Sequence, residues 1–482
     1  MKVRASKGSR RAYQLEKMKT LKSFLAVAAA LSLTGCRHKP ASTQTATETA
    51  SPPSQTTPAS LVDPLTLALL PQDGDTHTDQ EIRRYQAKVR EGGNRKAAVE
   101  RLGWLFITKA RISFDPGFYK QAAACGDVLE SDSPGCPESL LLRGYVFENL
   151  HRFKEAEPLA RELVAERGQS FDFGLLGDSL MEQGRLEEAV VAYQRMVDLR
   201  PDLQSYSRVS YIRWLKGDTE GATEMMQSAV EASTQNDPDS AAWVTTQLAR
   251  LQLESGKNDE ASQTADAALL VRSNYPPALL LRGRMLLAED KADEAVDDLQ
   301  TAATANPLPE YQWALAEGLR AAGREPEAAK VEARLQVSGA VNDPRTFSLF
   351  LATRGKDTAT AVNLAEAEMD QRQDVFTQDA LAWALAADGR VAEALPHMKL
   401  ALAEGTEDGR LFFHAAVIAH RAGQDDEAQK WFTRAASSME TLLPSEREQF
   451  MRLADDLPAN SDTEMVADAT NDPTIAHSDL VK

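Results

Sequence analysis

One alanine returns along this chain with the regularity of a repeat, as Ala156, Ala189, Ala222, Ala261, Ala295, Ala328, Ala361, Ala394 and Ala428. Seven of the eight intervals are 33 or 34 residues, and only the step from Ala222 to Ala261 is longer, at 39. A period of about 34 residues is the length of two helices and a turn, a unit that cannot bury its apolar face until neighbours stack on it. The spacing therefore argues against a single globular core and places function on a surface built by several units. Five residues before the alanine there is usually a glycine (Gly184, Gly217, Gly256, Gly323, Gly389, Gly423), where a helix ends and the chain reverses. Twelve residues before it stands a small residue: Gly144, Gly177, Ala249, Gly283, Ala316, Ala382 or Ala416. Small side chains at both places let two antiparallel helices approach closely.

The stretch from Leu176-Gly177 through Gly184, Ala189 and Tyr193 to Pro201 resembles the tetratricopeptide repeat family, as do Gly283, Ala295, Ala302 and Pro307. The resemblance covers roughly residues 97 to 440. It implies an all-α fold, a TPR-like superhelical solenoid of about ten helix-turn-helix repeats that winds as a right-handed superhelix. The unit around Ala361 departs from the pattern, since Gly355 is one residue out of place and Leu349 replaces the small residue. Ala122 marks an earlier, degenerate unit. The family serves many unrelated purposes, so the resemblance implies a fold and a binding surface, not a partner.

In proteins that resemble this one, the first helix of each repeat lines a concave groove, at places about 18, 15, 11, 8 and 7 residues before the alanine. Those places hold Tyr145, Phe171, Tyr211, Trp214, Trp243, Trp313, Phe376, Trp383 and Phe413, interspersed with Arg250, Arg284, Arg320 and Arg421. Four of the six tryptophans fall on this line although only 6% of the chain is aromatic, so the groove is expected to be aromatic and locally basic. Aromatic and arginine side chains supply most of the energy at binding hot spots, which suits an extended peptide or an amphipathic helix from another protein. The same helical spacing also fits plain core packing. The Lys and Asn set of the family's chaperone-binding peptide clamp is not found at these places.

The start of the chain carries a different signal. Lys19 and Lys22 precede an apolar stretch, Phe24 to Leu33, too short for a stable membrane span, and Leu33-Thr34-Gly35-Cys36 closes it. That tetrapeptide resembles the lipobox of bacterial lipoproteins, which implies lipidation of Cys36 and a mature chain beginning there; an ordinary secretory signal is the other reading. Met18 is a possible true start. Arg37 follows the cysteine where Asp would favour inner-membrane retention in the enteric pattern, so the resemblance implies an outer-membrane anchor facing the periplasm. The chain is read as a signal peptide (1–36), a disordered Pro/Ser/Thr-rich tether (37–78), N-terminal helices with a degenerate repeat (79–136), the solenoid (137–440), a C-terminal capping helix (441–459) and a disordered acidic tail (460–482). Ser233 to Ser240, which accounts for the long interval, reads as a loop insertion.

With 54 basic and 72 acidic residues the chain carries a net charge of −18, which repels nucleic acid and anionic headgroups. With Cys36 lipidated, Cys125 and Cys136 remain as one pair that an exported protein can oxidise, and the turn between them predicts a disulfide, with two free thiols as the alternative. Gly177-Asp178-Ser179-Leu180 spells the signature of a serine esterase family, yet Ser179 lies inside a predicted helix at positions the repeat already explains. His414 and His420 are six apart, the wrong spacing for a helical metal pair. No cofactor, metal or catalytic residue is expected. The function expected is a non-catalytic, membrane-anchored scaffold that holds an envelope protein or peptide, with binding of a small ligand or glycan as the alternative.

Overall fold

The computed structural model describes residues 63–457, and all its regular structure there is helical. The signal peptide, Cys36, the first part of the tether and the acidic tail lie outside the described residues. Two helices lead in, α1 (Pro64–Ala68) and α2 (His77–Glu91). Ten pairs follow: α3/α4 (Arg95–Ser113, Phe118–Asp132), α5/α6 (Pro137–Asn149, Phe153–Glu166), α7/α8 (Ser170–Glu182, Leu186–Leu199), α9/α10 (Leu203–Leu215, Thr219–Ala232), α11/α12 (Pro238–Glu254, Asn258–Val271), α13/α14 (Pro276–Ala288, Ala292–Ala305), α15/α16 (Pro309–Ala321, Glu325–Asn342), α17/α18 (Pro344–Arg354, Thr358–Met369), α19/α20 (Val375–Ala387, Val391–Ala401) and α21/α22 (Gly409–Arg421, Asp425–Ala436). A 3₁₀ turn (Met439–Thr441) and α23 (Pro444–Asp456) complete the described chain. Among the described residues no helix is long and apolar enough to cross a membrane.

The nine periodic alanines and Ala122 all have 0% exposure, because each sits early in a second helix where it meets its own first helix. The small partner position is equally tight. A Cβ on Gly177 would lie 2.3 Å from the Tyr193 ring, and one on Gly283 would lie 2.7 Å from Leu299. The irregular unit around Ala361 is explained by a one-residue shift. Ser348, not Leu349, takes the small position, and its hydroxyl donates to the Ala361 carbonyl at 2.7 Å, as Ser210 does to Ala222.

Three expectations need correction. The tether ends before residue 63, since Leu65, Leu67 and Leu69 pack against the first apolar cluster and the Gln86 amide donates to the carbonyls of Ala68 and Leu70 at 3.0 and 2.8 Å. Cys125 and Cys136 are free, buried thiols: Cys125 points into the space between α3 and α4, while Cys136 caps α5 with its Sγ 4.0 Å from the Leu129 carbonyl. The long interval is loop only over 233–237; the rest of its extra length is helix, because Pro238 starts α11 under an Asp237 cap and gives it 17 residues where most first helices have 13.

The solenoid also folds back upon itself. The Gln373 amide donates to the Glu182 carbonyl at 2.9 Å, the Thr406 hydroxyl to the Leu215 carbonyl at 2.6 Å, and the Trp214 indole to the Glu407 carbonyl at 2.9 Å. These bonds join residues about 190 apart in sequence and seal the ends of α7 and α9 to the loops before α19 and α21. The last helix takes part in the closure. Expected to cap only the open end, α23 also crosses the inner face: Ser445 donates to Glu317 on α15, Arg447 to the Leu287 carbonyl on α13 and Gln449 to the Thr353 carbonyl on α17. Phe450 stacks on Phe432 at 4.3 Å, which fastens α23 to the final pair as well.

Candidate functional site

Self-closure divides the concave face in two. In the C-terminal half the interior is filled by α23, the 3₁₀ turn and neighbouring first helices, so inward-facing side chains there are core. Trp313 is 1% exposed, with its indole donating to Glu317 at 3.2 Å and its ring 5.8 Å from Phe350. Trp383 is likewise buried, bonded to the Thr353 hydroxyl and stacked 4.1 Å from His414, while Phe413 lies 5.5 Å from Trp383. The arginines expected beside them are spoken for. Arg284 donates to the Thr441 carbonyl, Arg320 pairs with Glu332 at 2.8 Å, and Arg421 donates to the Ala386 carbonyl at 3.0 Å. Phe376 stacks on Trp214 at 5.5 Å as part of the seam.

The N-terminal half keeps a chamber of about 1930 Å³, walled by the inner faces of α3, α5, α7, α9 and α11. Tyr145, Phe171, Tyr211, Trp214, Trp243 and Arg250 all line it. Trp104 meets Tyr145 edge to face at 5.2 Å, Tyr211 leans on Trp214 at 5.6 Å, and Trp243, 37% exposed, is the open aromatic of the set. Trp104, Ile107, Arg111 and Phe114 also line the chamber. They stand 18, 15, 11 and 8 residues before Ala122, so counting from the degenerate alanine finds them too.

Charge in the chamber differs from charge on the body. Seven arginines and seven carboxylates line it, in a protein whose net charge is −18. Burial, reinforced by Asp178, pushes the Glu148 carboxyl well above the ordinary range; burial and Asp374 push Glu182 up to about 7. With Glu182 partly neutral near pH 7, the negative charge of the chamber is reduced there. Asp178 is held by Arg208 at 2.6 Å and by the Tyr193 hydroxyl at 2.8 Å. Ser179 is fully buried and donates to Glu148 at 3.2 Å, a bond that ties α7 to α5. The esterase-like string is thus explained by helix packing. His414 is committed to Asp379 at 2.9 Å and His420 to Asp425 at 3.0 Å, and no group of three or more metal-ligating side chains occurs among the described residues.

Residues 246–308 and 173–203 match family models described as tetratricopeptide repeat. No curated protein matches the chain. Among solved structures, yeast Tom70 is similar at 14% identity over 83% of this chain and 99% of that one, with a TM-score of 0.34. The human IFIT1 dimer with m7Gppp-AAAA is similar at 11% identity over 77% and 94%, with a TM-score of 0.42. MamA (41-end) from Desulfovibrio magneticus RS-1 is similar at 20% identity over 32% and 85%, with a TM-score of 0.26.

Proposed function

The chain is a tetratricopeptide-repeat protein, and from that premise we propose that it is a non-catalytic scaffold which takes a polypeptide segment of another protein into its N-terminal chamber. Proteins built of this repeat bind protein partners, and the repeat is a scaffold rather than a site of chemistry. The observation that carries the finer reading is the size and lining of the chamber. At about 1930 Å³ it exceeds the roughly 300 to 1,000 Å³ of pockets that enclose a small ligand. Its wall runs along five consecutive first helices, which favours an elongated guest over a compact one. Trp243 and Tyr211 offer large, rigid contact surfaces of the kind that dominate binding hot spots.

The leader supports a placement. If Cys36 is acylated, two or three chains on one cysteine give stable anchoring, at about 0.8 kcal/mol per buried methylene. The scaffold would then sit at the periplasmic face of the outer membrane, tethered by residues 37–62, with an envelope protein as its guest. Metabolic labelling with a palmitate analogue tests this arm, since Cys36→Ser should abolish incorporation.

The binding arm is tested on protein lacking residues 1–36, with a displayed library of envelope-protein peptides run in parallel with a glycan array. Peptide binding that is lost in Trp243→Ala supports the scaffold reading. Glycan binding with no peptide binding would replace it with the small-ligand alternative.

A further inference from the structure

The chamber wall holds one half-buried arginine that, among the described residues, makes no ion pair. Four of its arginines are at least partly buried. Arg208 is held by Asp178, Arg272 by Asp239 and Arg372 by Glu368. Arg250 makes no ion pair with any described residue, and its Nε is sealed from solvent without a hydrogen-bond partner. The guanidinium lies 4.3 Å from the centre of the Trp214 ring.

The carboxyl one helical turn further along, Glu254, feels the Arg250 charge but forms no ion pair with it. Burial, then the nearby Asp408, push Glu254 up to about 8, and its Oε2 accepts the Gly409 amide at 3.3 Å. At neutral pH Glu254 is therefore mainly an uncharged acid bonded to the seam. A half-buried charge whose sealed Nε lacks a partner is unfavourable, and an arriving anion would offset that cost. Trp243 and Gln247 lie on the same face of α11, 7 and 3 residues before Arg250, and both line the chamber. An incoming carboxylate would thus meet charged donors on the face that carries the exposed Trp243 ring, while the buried Trp214 backs the guanidinium, so charge-assisted bonds and contact with Trp243 are both available.

We propose that the guest segment carries an acidic side chain next to an aromatic or apolar residue, and that Arg250 is the carboxylate anchor. This rests on the chamber being the binding site. The full chain carries a net charge of −18, so an acidic guest is selected by this local site against the overall field, and at about 0.15 M salt that field is screened beyond roughly 8 Å.

The test uses two copolymers of opposite charge, poly(Glu,Tyr) and poly(Lys,Tyr), titrated at 0.15 M salt against the full chain in detergent. Binding is read by tryptophan fluorescence and calorimetry. Poly(Glu,Tyr) is expected to bind, to lose about tenfold in affinity in Arg250→Met, which keeps the packing on Trp214, and to recover partly in Arg250→Lys. Equal affinity for both copolymers, or a loss below twofold in Arg250→Met with circular dichroism unchanged, overturns the anchor. If poly(Lys,Tyr) binds in its place and Trp243→Ala abolishes that binding, the chamber reading stands and the acidic guest is refuted. If neither copolymer binds, both fall.

Discussion

Two glycines in the same repeat position separate the seam from the repeat itself. Gly217 and Gly389 each stand five residues before the periodic alanine and adopt a left-handed backbone, with φ of +77° and +80°. Alanine at either site suffers the left-handed penalty, about 1 to 2 kcal/mol. Only Gly217 faces the seam. A Cβ there would lie 2.6 Å from the Gly405 carbonyl oxygen, below the 3.0 Å that real Cβ atoms keep, whereas nothing lies within 4 Å of one on Gly389. The obstacle is backbone and cannot rotate away, so relief requires the 402–408 loop to withdraw. Overpacking of this kind costs typically 1 to 3 kcal/mol, which predicts roughly a 5- to 150-fold rise in opening of that loop for Gly217→Ala. Hydrogen-exchange mass spectrometry on peptides covering residues 402–409 reads the change directly. Gly389→Ala should leave those amides protected. Equal exchange in the two variants, or unaltered protection in Gly217→Ala, would refute the seam as the element that closes the solenoid.

Further expectations follow from the same packing. Trp313→Ala removes a buried indole from the filled half and should cost about 3 to 5 kcal/mol by denaturant unfolding, whereas Trp243→Ala, at a half-open chamber wall, should stay within about 1 kcal/mol. Phe450→Ala should release α23 at a similar cost to Trp313→Ala, seen as new proteolytic cleavage between residues 438 and 457, with cleavage in the α5 to α9 region unchanged. Glu254 and Glu182, raised to about 8 and about 7, bind protons in the fold that the unfolded chain has already released. Their contribution is present below about pH 4.5 and is lost as pH rises through 7 to 8. Thermal stability should therefore fall between pH 6 and pH 9, and Glu254→Gln should flatten that decline; an identical slope in wild type and variant would contradict the assignment.

The repeat was legible because its signal is local. Ala189 and Gly177 report on a contact between two helices a dozen residues apart, and that contact recurs. The irregular unit looked degenerate only because the small residue sought at 349 is Ser348, one place earlier, as Gly355 is, in a turn of ordinary length that is left-handed at both Gly355 and Asp357. Counting back from each alanine likewise gave the direction in which side chains point. Tyr145, Phe171, Tyr211, Trp214, Trp243 and Arg250, reached by that count, line the chamber, and extended to Ala122 the count reaches Trp104 and Phe114. Direction is not occupancy. Trp313, Trp383 and Phe413 point inward as well, but the interior they face is filled by α23 and the seam. Those contacts link residues about 100 to 190 apart, such as Glu317 with Ser445 and Trp214 with Glu407, and a 34-residue period encodes nothing at that range. The paired thiols failed for a related reason: Cys125 and Cys136 are close in sequence, yet the helix that carries Cys125 turns it inward while Cys136 caps the next helix.

The central claim is that a partner polypeptide enters the N-terminal chamber. A photo-crosslinking residue placed at Trp243 in the native cell, compared with one placed at Val337 on an exposed face, tests it most directly. The account predicts a discrete adduct from position 243 that maps by mass spectrometry to one segment of one protein and is absent from position 337. No adduct at 243, or the same adducts from both positions, would contradict it.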